Sequence, residues 1–176
     1  TENGDDMNDE INLVPENFNS GWIEITGITK NQTLIDSLPK YEDFIYSNPE
    51  FVWEKPVCPT GIAFSTSEKF AQTDRVFVGD CNNGNIYRFN LNEQRNGFVF
   101  NSSDLQDNTL NVDESNEEIL FGVNFGAITD VEEGPDGFLY IVSLSNGKIY
   151  RILPKEFAQS VPESKGGGCL IATATY

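Results

Sequence analysis

The chain contains no histidine. A Ser-His-Asp triad, a Cys-His nucleophile and a histidine general base are therefore excluded within these residues, as is a zinc site built on imidazole. Positive charge is also scarce, since 11 lysines and arginines stand against 28 aspartates and glutamates and leave a formal net charge of -17. Such a balance argues against a nucleic-acid backbone or an anionic membrane as partner.

Long apolar runs are absent as well. No segment reaches the roughly 18 consecutive apolar residues of a membrane helix, and no signal peptide is visible. Two Asn-x-Ser/Thr sequons, at Asn31 and Asn101, lie in polar sequence and favour an exported protein. Because the chain starts at Thr1 rather than at a methionine and Tyr176 falls inside an apolar run, we expect a piece of a longer protein.

One sequence pattern occurs twice in the chain. Residues 74–89 read DRVFVGDCNNGNIYRF and residues 136–152 read DGFLYIVSLSNGKIYRI. In each copy, two runs rich in β-branched and aromatic residues flank an Asn-Gly pair, Asn83-Gly84 or Asn146-Gly147. Glycine adopts positive φ without steric cost and asparagine tolerates it, so the pattern predicts a β-hairpin in each copy.

A further strand is predicted before each hairpin. Residues 61–64 and 126–131 are largely apolar, contain glycine, and are long enough to pair with the first strand of the hairpin that follows. Three antiparallel strands in a repeated order form a sheet that cannot bury both faces alone, and such sheets stack radially in a β-propeller. The sequence therefore predicts an all-β fold with about two to three propeller blades.

The connecting segments carry weaker signals. Alternation of apolar and polar residues between two glycines predicts a short half-buried strand at 21–27. Residues 33–38 are compatible with one or two helical turns, and residues 49–59, which include three prolines, predict an extended, irregular segment. Residues 97–100 are a candidate outer strand of the first blade, and Gly134-Pro135-Asp136-Gly137 has the composition of a tight turn.

The character of the chain changes after Arg151. We place a domain boundary near Lys155, so that residues 1–155 form the partial propeller. Residues 156–176 then form a linker with three consecutive glycines and a small-residue apolar tail that begins at Cys169.

Three cysteines are present. Cys58 lies just before the strand at Gly61, and Cys81 lies just after the strand at Val76. If those two strands pair antiparallel, the two sulfurs could approach disulfide distance, and a bridge would fit an oxidising compartment. Two free buried thiols are the alternative, and Cys169 has no partner within the chain.

Four stretches, in this order, resemble the later blades of the soluble glucose dehydrogenase / sorbosone dehydrogenase family. They are DEIN and NSGW within 9–22, WEKPVCPTGIAF at 53–64, VFVGDCNNGNIYRF at 76–89 and FGAITDVEEGPDGFLYIV at 125–142. The resemblance implies a six-bladed propeller that acts on a sugar, with pyrroloquinoline quinone and calcium at the top of its central channel. This chain would hold about half of such a propeller.

The resemblance also implies calcium ligands. In active members, a Gly-Pro-x-Gly-Gly-Asp-Glu pattern holds the cofactor calcium through its first two carbonyls, at positions matched here by Gly4 and Asp5. Some members instead bind calcium through the Glu of this motif and a backbone carbonyl ten residues on, matched by Glu10 and Ser20. Carbonyl and carboxylate oxygens suit a hard cation. A solvated acidic turn is the alternative interpretation.

Three positions depart from active members of the family. The strand matched by 126–130 carries two arginines there, where this chain has Ala127 and Thr129, and the hairpin matched by 79–83 carries a lysine that is missing here. Their loss removes positive charge that would stabilise a reduced, anionic quinone. The catalytic histidine of the family would lie upstream of Thr1, so no catalytic residue is assigned within the chain.

Two functions follow as expectations, and a third class, a purely structural, calcium-stabilised extracellular module, also remains open. One is part of a secreted, cell-surface or periplasmic propeller that oxidises a sugar with pyrroloquinoline quinone and calcium, and the alternative is a non-catalytic extracellular propeller that binds a carbohydrate or a protein. An exposed aromatic platform would favour sugar binding; Trp22, Trp53 and Tyr41 are candidates, although we expect each in the core. The tail at 166–176 resembles a C-terminal segment of many exported prokaryotic proteins, which favours the same location.

Overall fold

The computed structural model describes residues 1–40, 43–70, 74–153 and 169–173. Strands dominate this part of the chain, with one short helix, α1 (Gln32–Ser37), and two single turns of 3-10 helix at Glu68–Phe70 and Ser103–Leu105. The strands are β1 (Asp9–Ile11), β2 (Phe18–Asn19), β3 (Ile45–Tyr46), β4 (Phe51–Trp53), β5 (Pro59–Ser65), β6 (Arg75–Asp80), β7 (Ile86–Leu91), β8 (Phe98–Val99), β9 (Thr109–Leu110), β10 (Leu120–Gly122), β11 (Ile128–Glu133), β12 (Leu139–Ser143), β13 (Lys148–Leu153) and β14 (Cys169–Thr173).

The first repeated hairpin lies in the middle sheet. Strands β6 and β7 pair antiparallel with Val76 opposite Phe89, and β5 pairs antiparallel with β6 on the other side. The sheet order is β10-β7-β6-β5, and β8 also pairs with β7. In the turn between β6 and β7, Gly84 takes a positive φ of 69° whereas Asn83 does not. The predicted hairpin, the strand before it and the outer strand at 97–100 are confirmed.

The second hairpin lies in a neighbouring sheet of order β11-β12-β13-β14. Strands β11, β12 and β13 pair antiparallel, with Ile141 opposite Tyr150. The turn before β12 is closed by a 2.8 Å hydrogen bond from the Gly137 N–H to the Gly134 carbonyl, with Gly137 at a φ of 74°. The repeat and its turn are therefore confirmed, as a copy of the β5-β6-β7 arrangement.

Three sheets stack face against face, and the third has the order β1-β4-β9. Its side chains form one core with the middle sheet, while the opposite face of the middle sheet forms a second core with the β11-β12-β13 sheet. Successive side chains of strand β6 point to opposite faces of the sheet and so contribute to both cores. Val76 and Val78 lie in the first core, and Phe77 lies in the second. Each sheet thus buries a face that it could not bury alone, as blades of a propeller do.

The edge strands β5 and β11 approach each other closely. Gly61 has no room for a side chain, because a Cβ there would collide with the backbone at Val131. The Thr60 hydroxyl donates a 2.9 Å hydrogen bond to the Ile128 carbonyl, which ties the two strands together. Adjacent blades are therefore joined along their inner strands by backbone contact as well as by side-chain packing.

The strand predicted at 21–27 is wrong. That stretch forms a turn in which the Ile25 N–H donates a 2.9 Å hydrogen bond to the Gly21 carbonyl, and both Gly21 and Gly27 take positive φ. The alternating pattern misled the prediction because only Ile25 turns into the core, while Ile23 is exposed. Residues 49–59 were expected to be irregular, yet β4 within them pairs with both β1 and β9. The helical turns predicted at 33–38 are present as α1, and the Asn31 side chain caps them.

The predicted boundary at Lys155 and the glycine linker lie outside the described residues. Residues 169–173, which the sequence assigned to the tail, form β14 and pair in parallel with β13. Within the described residues, no helix is long and apolar enough to cross a membrane.

Candidate functional site

The acidic motif near the start of the chain is folded rather than solvated. Strand β1 carries Asp9 and Glu10 side by side, and they are only 1% and 2% exposed. The Asp9 carboxylate accepts hydrogen bonds from the N–H groups of Gly4 at 2.8 Å, of Val57 at 2.7 Å and of Cys58 at 2.7 Å. The alternative of a solvated acidic turn therefore does not describe these two carboxylates, although Asp5 within the same motif is exposed.

Glu10 is a buried acceptor with no ion-pair partner among the described residues. One of its carboxylate oxygens accepts the Gly27 N–H, and the other accepts from Asn12 Nδ2 at 3.3 Å. Among the described residues, the two ion pairs join Arg95 to Asp74 and Arg151 to Asp136, so neither reaches Glu10. Burial raises the pKa of Glu10, and the nearby negative charges of Glu2 and Asp9 act in the same direction.

An acceptor without a hydrogen-bond partner lies beside Glu10. Asn12 Oδ1 is buried and has no hydrogen-bond partner among the described residues, while Nδ2 of the same amide donates to Glu10. Carboxylate and amide oxygens are the donor types that Ca²⁺ uses. The chemistry of these atoms therefore fits a hard cation.

The turn at 20–27 closes over this region. Asn8 Nδ2 donates a 3.1 Å hydrogen bond to the Thr26 carbonyl, and the next residue, Gly27, binds Glu10. Tyr46 packs against Gly21, since a Cβ on that glycine would lie 2.9 Å from the tyrosine ring. The pKa of Tyr46 is raised by burial and by the charge of Glu10. The fold thus brings the Ser20–Gly21 end of the turn into the neighbourhood of Glu10.

We call Glu10, Asn12, Ser20, Gly27 and Tyr46 the Glu10 site. Of the sequence-predicted ligands, Gly4 lies beside Asp9, and Ser20 lies at the start of the turn that covers Glu10. No group of three or more His, Cys, Asp or Glu side chains suited to a metal occurs in the described ranges. A calcium ion here would therefore depend on backbone carbonyl and amide oxygens beside the single carboxylate of Glu10.

Sequence reasoning missed Asn12 and Tyr46. Asn12 lies just past the end of β1 and two residues from Glu10, a spacing that in an extended chain places both side chains on the same side. Tyr46 lies far along the chain on β3, which pairs in parallel with β2. Only the tertiary fold brings it to Glu10, and nothing local in the sequence marks it.

The positions that the family resemblance matches to two arginines and a lysine are occupied by neutral or acidic groups. The Ala127 N–H donates a 2.8 Å hydrogen bond to the Ser145 hydroxyl, and Thr129 is exposed. In the hairpin at 79–83, the buried Asp80 carboxylate accepts from the Asn83 N–H at 2.7 Å and from the Tyr87 hydroxyl at 3.0 Å. These positions thus supply no cation for an anionic quinone, and they do not fit that group.

The sequence did not decide between a Cys58–Cys81 disulfide and two free thiols, and the structure contains the disulfide. Cys58 and Cys81 are bonded, with their Cα atoms 5.2 Å apart, and the Cys81 N–H also donates to the Cys58 carbonyl at 3.0 Å. Since the Cys58 N–H binds Asp9, the bridge connects the first hairpin turn to the acidic motif.

The three aromatic residues considered for a sugar-binding platform differ in where they lie. Trp53 is 1% exposed and lies in the core as expected, whereas Trp22 is 44% exposed, so its assignment to the core is wrong. Trp22 sits in the turn at 20–27, which places its ring outside the sheets. Tyr41 lies outside the described residues.

Comparison with known proteins assigns the chain to a protein family. The family model described as Glucose / Sorbosone dehydrogenase matches residues 1–151. The chain belongs to the glucose/sorbosone dehydrogenase family. The matched range includes the motif at 4–10, the disulfide-linked hairpin and most of the stacked sheets. The fold is a partial β-propeller.

Individual relatives agree with the family match. Aldose sugar dehydrogenase YliI of Escherichia coli is 26% identical over 160 residues, which cover 88% of this chain and 38% of that protein. A crystal structure of the soluble aldose sugar dehydrogenase of Escherichia coli in the apo form is 25% identical with a TM-score of 0.50, covering 78% of this chain and 35% of that one. A glucose dehydrogenase-type oxidoreductase of Thermus thermophilus is 20% identical with a TM-score of 0.56, covering 81% and 34%. The chain therefore spans little more than a third of the length of these relatives.

Proposed function

We propose that this chain is the later-blade part of a glucose/sorbosone dehydrogenase-like propeller that oxidises a sugar and binds calcium at the Glu10 site. The buried carboxylate of Glu10 carries the proposal, because it is held in place by Gly27 and Asn12 and has no positive partner in the described part of the chain. A buried anion of this kind is costly unless a cation or a proton neutralises it. Family membership and the aldose sugar dehydrogenase relative support the substrate class.

The residues that would hold calcium are Glu10 through its carboxylate and Ser20 through its carbonyl, with Asn12 Oδ1 as a further oxygen. The alternative pair from the sequence is Gly4 and Asp5 through their carbonyls. Gly4 is positioned by the hydrogen bond from its N–H to Asp9. A bound cation would favour ionised Glu10 and so offset the effect of burial, which raises the pKa of that group.

Pyrroloquinoline quinone is the electron acceptor that family membership suggests. Neither Ala127 nor Thr129 nor the turn around Asn83 supplies the positive charge that an anionic reduced quinone needs. No role in hydride transfer or in proton removal from the sugar is therefore assigned to these residues. The role of this chain is to supply the calcium ligands and the disulfide-linked blade wall.

A second candidate function is a non-catalytic propeller that binds a carbohydrate or a protein at the cell surface. The specific observation in its favour is that the positions matched to arginine and lysine hold neutral or acidic residues. The Ala127 N–H is bonded to Ser145, and the Asp80 carboxylate accepts from Asn83 and Tyr87. For both candidates we propose a secreted, cell-surface or periplasmic location. The Cys58–Cys81 bridge supports it, since disulfides persist in oxidising compartments.

The test uses the full-length gene product. It is loaded with calcium and pyrroloquinoline quinone, the absorbance of the quinone is followed, and aldoses are then added with a redox dye. Dye reduction that needs both the quinone and an aldose would support the dehydrogenase. A folded protein that neither binds the quinone nor reduces the dye would reject it in favour of the non-catalytic candidate.

A further inference from the structure

Four asparagines of the chain are followed directly by glycine: Asn3, Asn83, Asn96 and Asn146. Asparagine is chemically labile, and an Asn-Gly pair is able to modify itself. Glycine has no Cβ to keep its backbone nitrogen away from the preceding side chain, so that nitrogen can attack the side-chain carbonyl carbon. A cyclic succinimide forms, and water opens it to aspartate or isoaspartate. All four asparagines are exposed, so their hydrogen bonds must decide which of them reacts.

The second hairpin restrains its Asn-Gly pair. Asn146 Nδ2 donates hydrogen bonds to the Phe125 carbonyl at 2.8 Å and to the Tyr150 hydroxyl at 2.9 Å. The Gly147 N–H donates to the Leu144 carbonyl at 3.2 Å. The attacking nitrogen and the departing amide are thus both engaged, and these hydrogen bonds must break before a succinimide forms.

Two further pairs are restrained at one atom each. After Asn3, the Gly4 N–H donates to the Asp9 carboxylate at 2.8 Å, which holds the attacking nitrogen. Asn83 Nδ2 donates to the buried Asp80 carboxylate at 2.9 Å, which holds the departing amide. The carboxylate also opposes the negative charge that develops on the Asn83 amide oxygen during attack.

The pair in the loop between β7 and β8 is arranged differently. Neither Asn96 Nδ2 nor the Gly97 N–H has a hydrogen-bond partner in the described part of the chain. Asn92 Nδ2 instead donates a 2.9 Å hydrogen bond to Asn96 Oδ1, and Asn92 Oδ1 accepts the Asn96 N–H at 3.1 Å. A fixed donor at the oxygen on which charge develops lowers the barrier to attack at a carbonyl carbon.

We propose that Asn96–Gly97 is a site of spontaneous deamidation, promoted by the Asn92 side chain. The Gly97 nitrogen gives up its proton to solvent and bonds to Asn96 Cγ. The Cγ–Nδ2 bond breaks, and the amide nitrogen takes up a proton and leaves as ammonia. Water then adds to one ring carbonyl carbon and breaks its bond to the Gly97 nitrogen, which regains a proton. This reaction needs neither calcium, nor a quinone, nor a sugar.

The product alters the outer strand of the first blade. Isoaspartate lengthens the main chain by one methylene immediately before β8. There the Gly97 carbonyl accepts the Asn92 N–H at 2.9 Å, and the Phe98 ring lies 4.7 Å from that of Phe89. The lengthened chain should loosen β8 from β7. The new carboxylate also lies next in sequence to Arg95, which forms an ion pair with Asp74.

The experiment is incubation of the full-length gene product for weeks at neutral pH, followed by peptide mapping with mass spectrometry. Enzymatic methylation identifies isoaspartate. The peptide that contains Asn96 should convert at least about 10-fold faster than the peptide that contains Asn146, whose hydrogen bonds must break first. In guanidinium chloride this difference should largely vanish, because the fold no longer restrains any of the pairs.

Two loop variants test the part played by Asn92. Asn92→Asp keeps an oxygen to accept the Asn96 N–H but removes the donor to Oδ1, so conversion at Asn96 should slow about 3- to 10-fold. Gln94→Glu adds the same charge at an exposed position of the same loop and should leave the rate unchanged. Conversion of Asn96 no faster than that of Asn146 in the folded protein would overturn the proposal. An unchanged rate in Asn92→Asp, or equal slowing in Gln94→Glu, would also overturn it.

Discussion

Cys58 and Cys81 join the start of β5 to the end of β6, beside the turn of the first repeated hairpin. The backbone reinforces the bond, since the Cys81 N–H binds the Cys58 carbonyl at 3.0 Å. The Cys58 N–H in turn binds the buried Asp9 carboxylate at 2.7 Å. The segments that contain Asp9, Cys58 and Cys81, which are distant in sequence, are therefore held together beside the candidate calcium motif.

Reduction of this disulfide should destabilise the protein. The bridge spans 23 residues of sequence, and the chain-entropy model gives about 3 kcal/mol for a loop of that length. Urea unfolding of Cys58→Ser/Cys81→Ser, compared with the wild type with and without reductant, measures the loss. Cys169→Ser serves as the control for effects of thiols in general. Two free thiols at positions 58 and 81 in the unreduced protein, found by labelling and mass analysis, would refute the bridge.

The two Asn-Gly turns offer a matched pair of glycines. Gly84 and Gly147 both have positive φ, 69° and 58°, so alanine at either site should cost about 1–2 kcal/mol through the backbone alone. A Cβ at Gly84 would lie 2.6 Å from the Gly126 nitrogen, whereas a Cβ at Gly147 would meet nothing within 4 Å. Thermal unfolding should therefore show a larger loss for Gly84→Ala than for Gly147→Ala, and for Gly84→Val a larger one still. Equal losses would contradict the contact between the first turn and the second blade.

Glu133 predicts a pH dependence of stability. Burial alone would raise its pKa, but hydrogen bonds from the Thr66 hydroxyl at 2.6 Å and from the N–H groups of Thr66 and Ser67 outweigh it and lower the pKa. A carboxyl group with a lowered folded-state pKa binds fewer protons when folded. Its stabilising contribution is thus present above the ordinary value of 4.5 and is lost as the pH falls through the folded-state pKa.

Glu133→Gln tests this dependence. The variant should be less stable than the wild type at neutral pH, and the difference should shrink as the pH falls below 4.5. The control is Glu132→Gln, which removes the same charge from an exposed neighbouring position. Denaturant unfolding between pH 3 and pH 7 gives the comparison. If the difference in free energy of unfolding between Glu133→Gln and the wild type stays the same across this range, the hydrogen bonds do not shift the pKa of Glu133.

Local sequence patterns predicted the repeated part of the fold well. The Asn-Gly hairpins and the turn at 134–137 depend on glycine at positive φ and on runs of β-branched and aromatic residues, and both signals act over a few residues. The prediction at 21–27 was wrong because two glycines at positive φ curl the segment, and alternation alone does not report that. Strand β4 was missed because its pairing with β1 and β9 comes from distant sequence, while the prolines nearby indicate irregular structure.

The candidate site was predicted less completely. Family resemblance pointed to Glu10, but the burial of Glu10, its hydrogen bond from Gly27 and the effect of its charge on the pKa of Tyr46 arise from other segments of the chain. The sequence indicated only that Trp53 belongs to the core, and an unpartnered buried N–H becomes visible only once the surrounding strands are in place.

Calcium binding at Glu10 is measured most directly by thermal unfolding of the full-length gene product with and without calcium. The wild type should gain stability, by about 2.7 kcal/mol at a calcium concentration 100-fold above the dissociation constant. Glu10→Gln should lose that gain, yet without calcium at neutral pH it should be no less stable than the wild type, because burial raises the pKa of Glu10 and penalises its ionised form. Glu16→Gln, at an exposed position, should keep the full calcium response. A calcium response that is absent from the wild type, or equal in Glu10→Gln, would contradict the assignment of Glu10 as the calcium ligand.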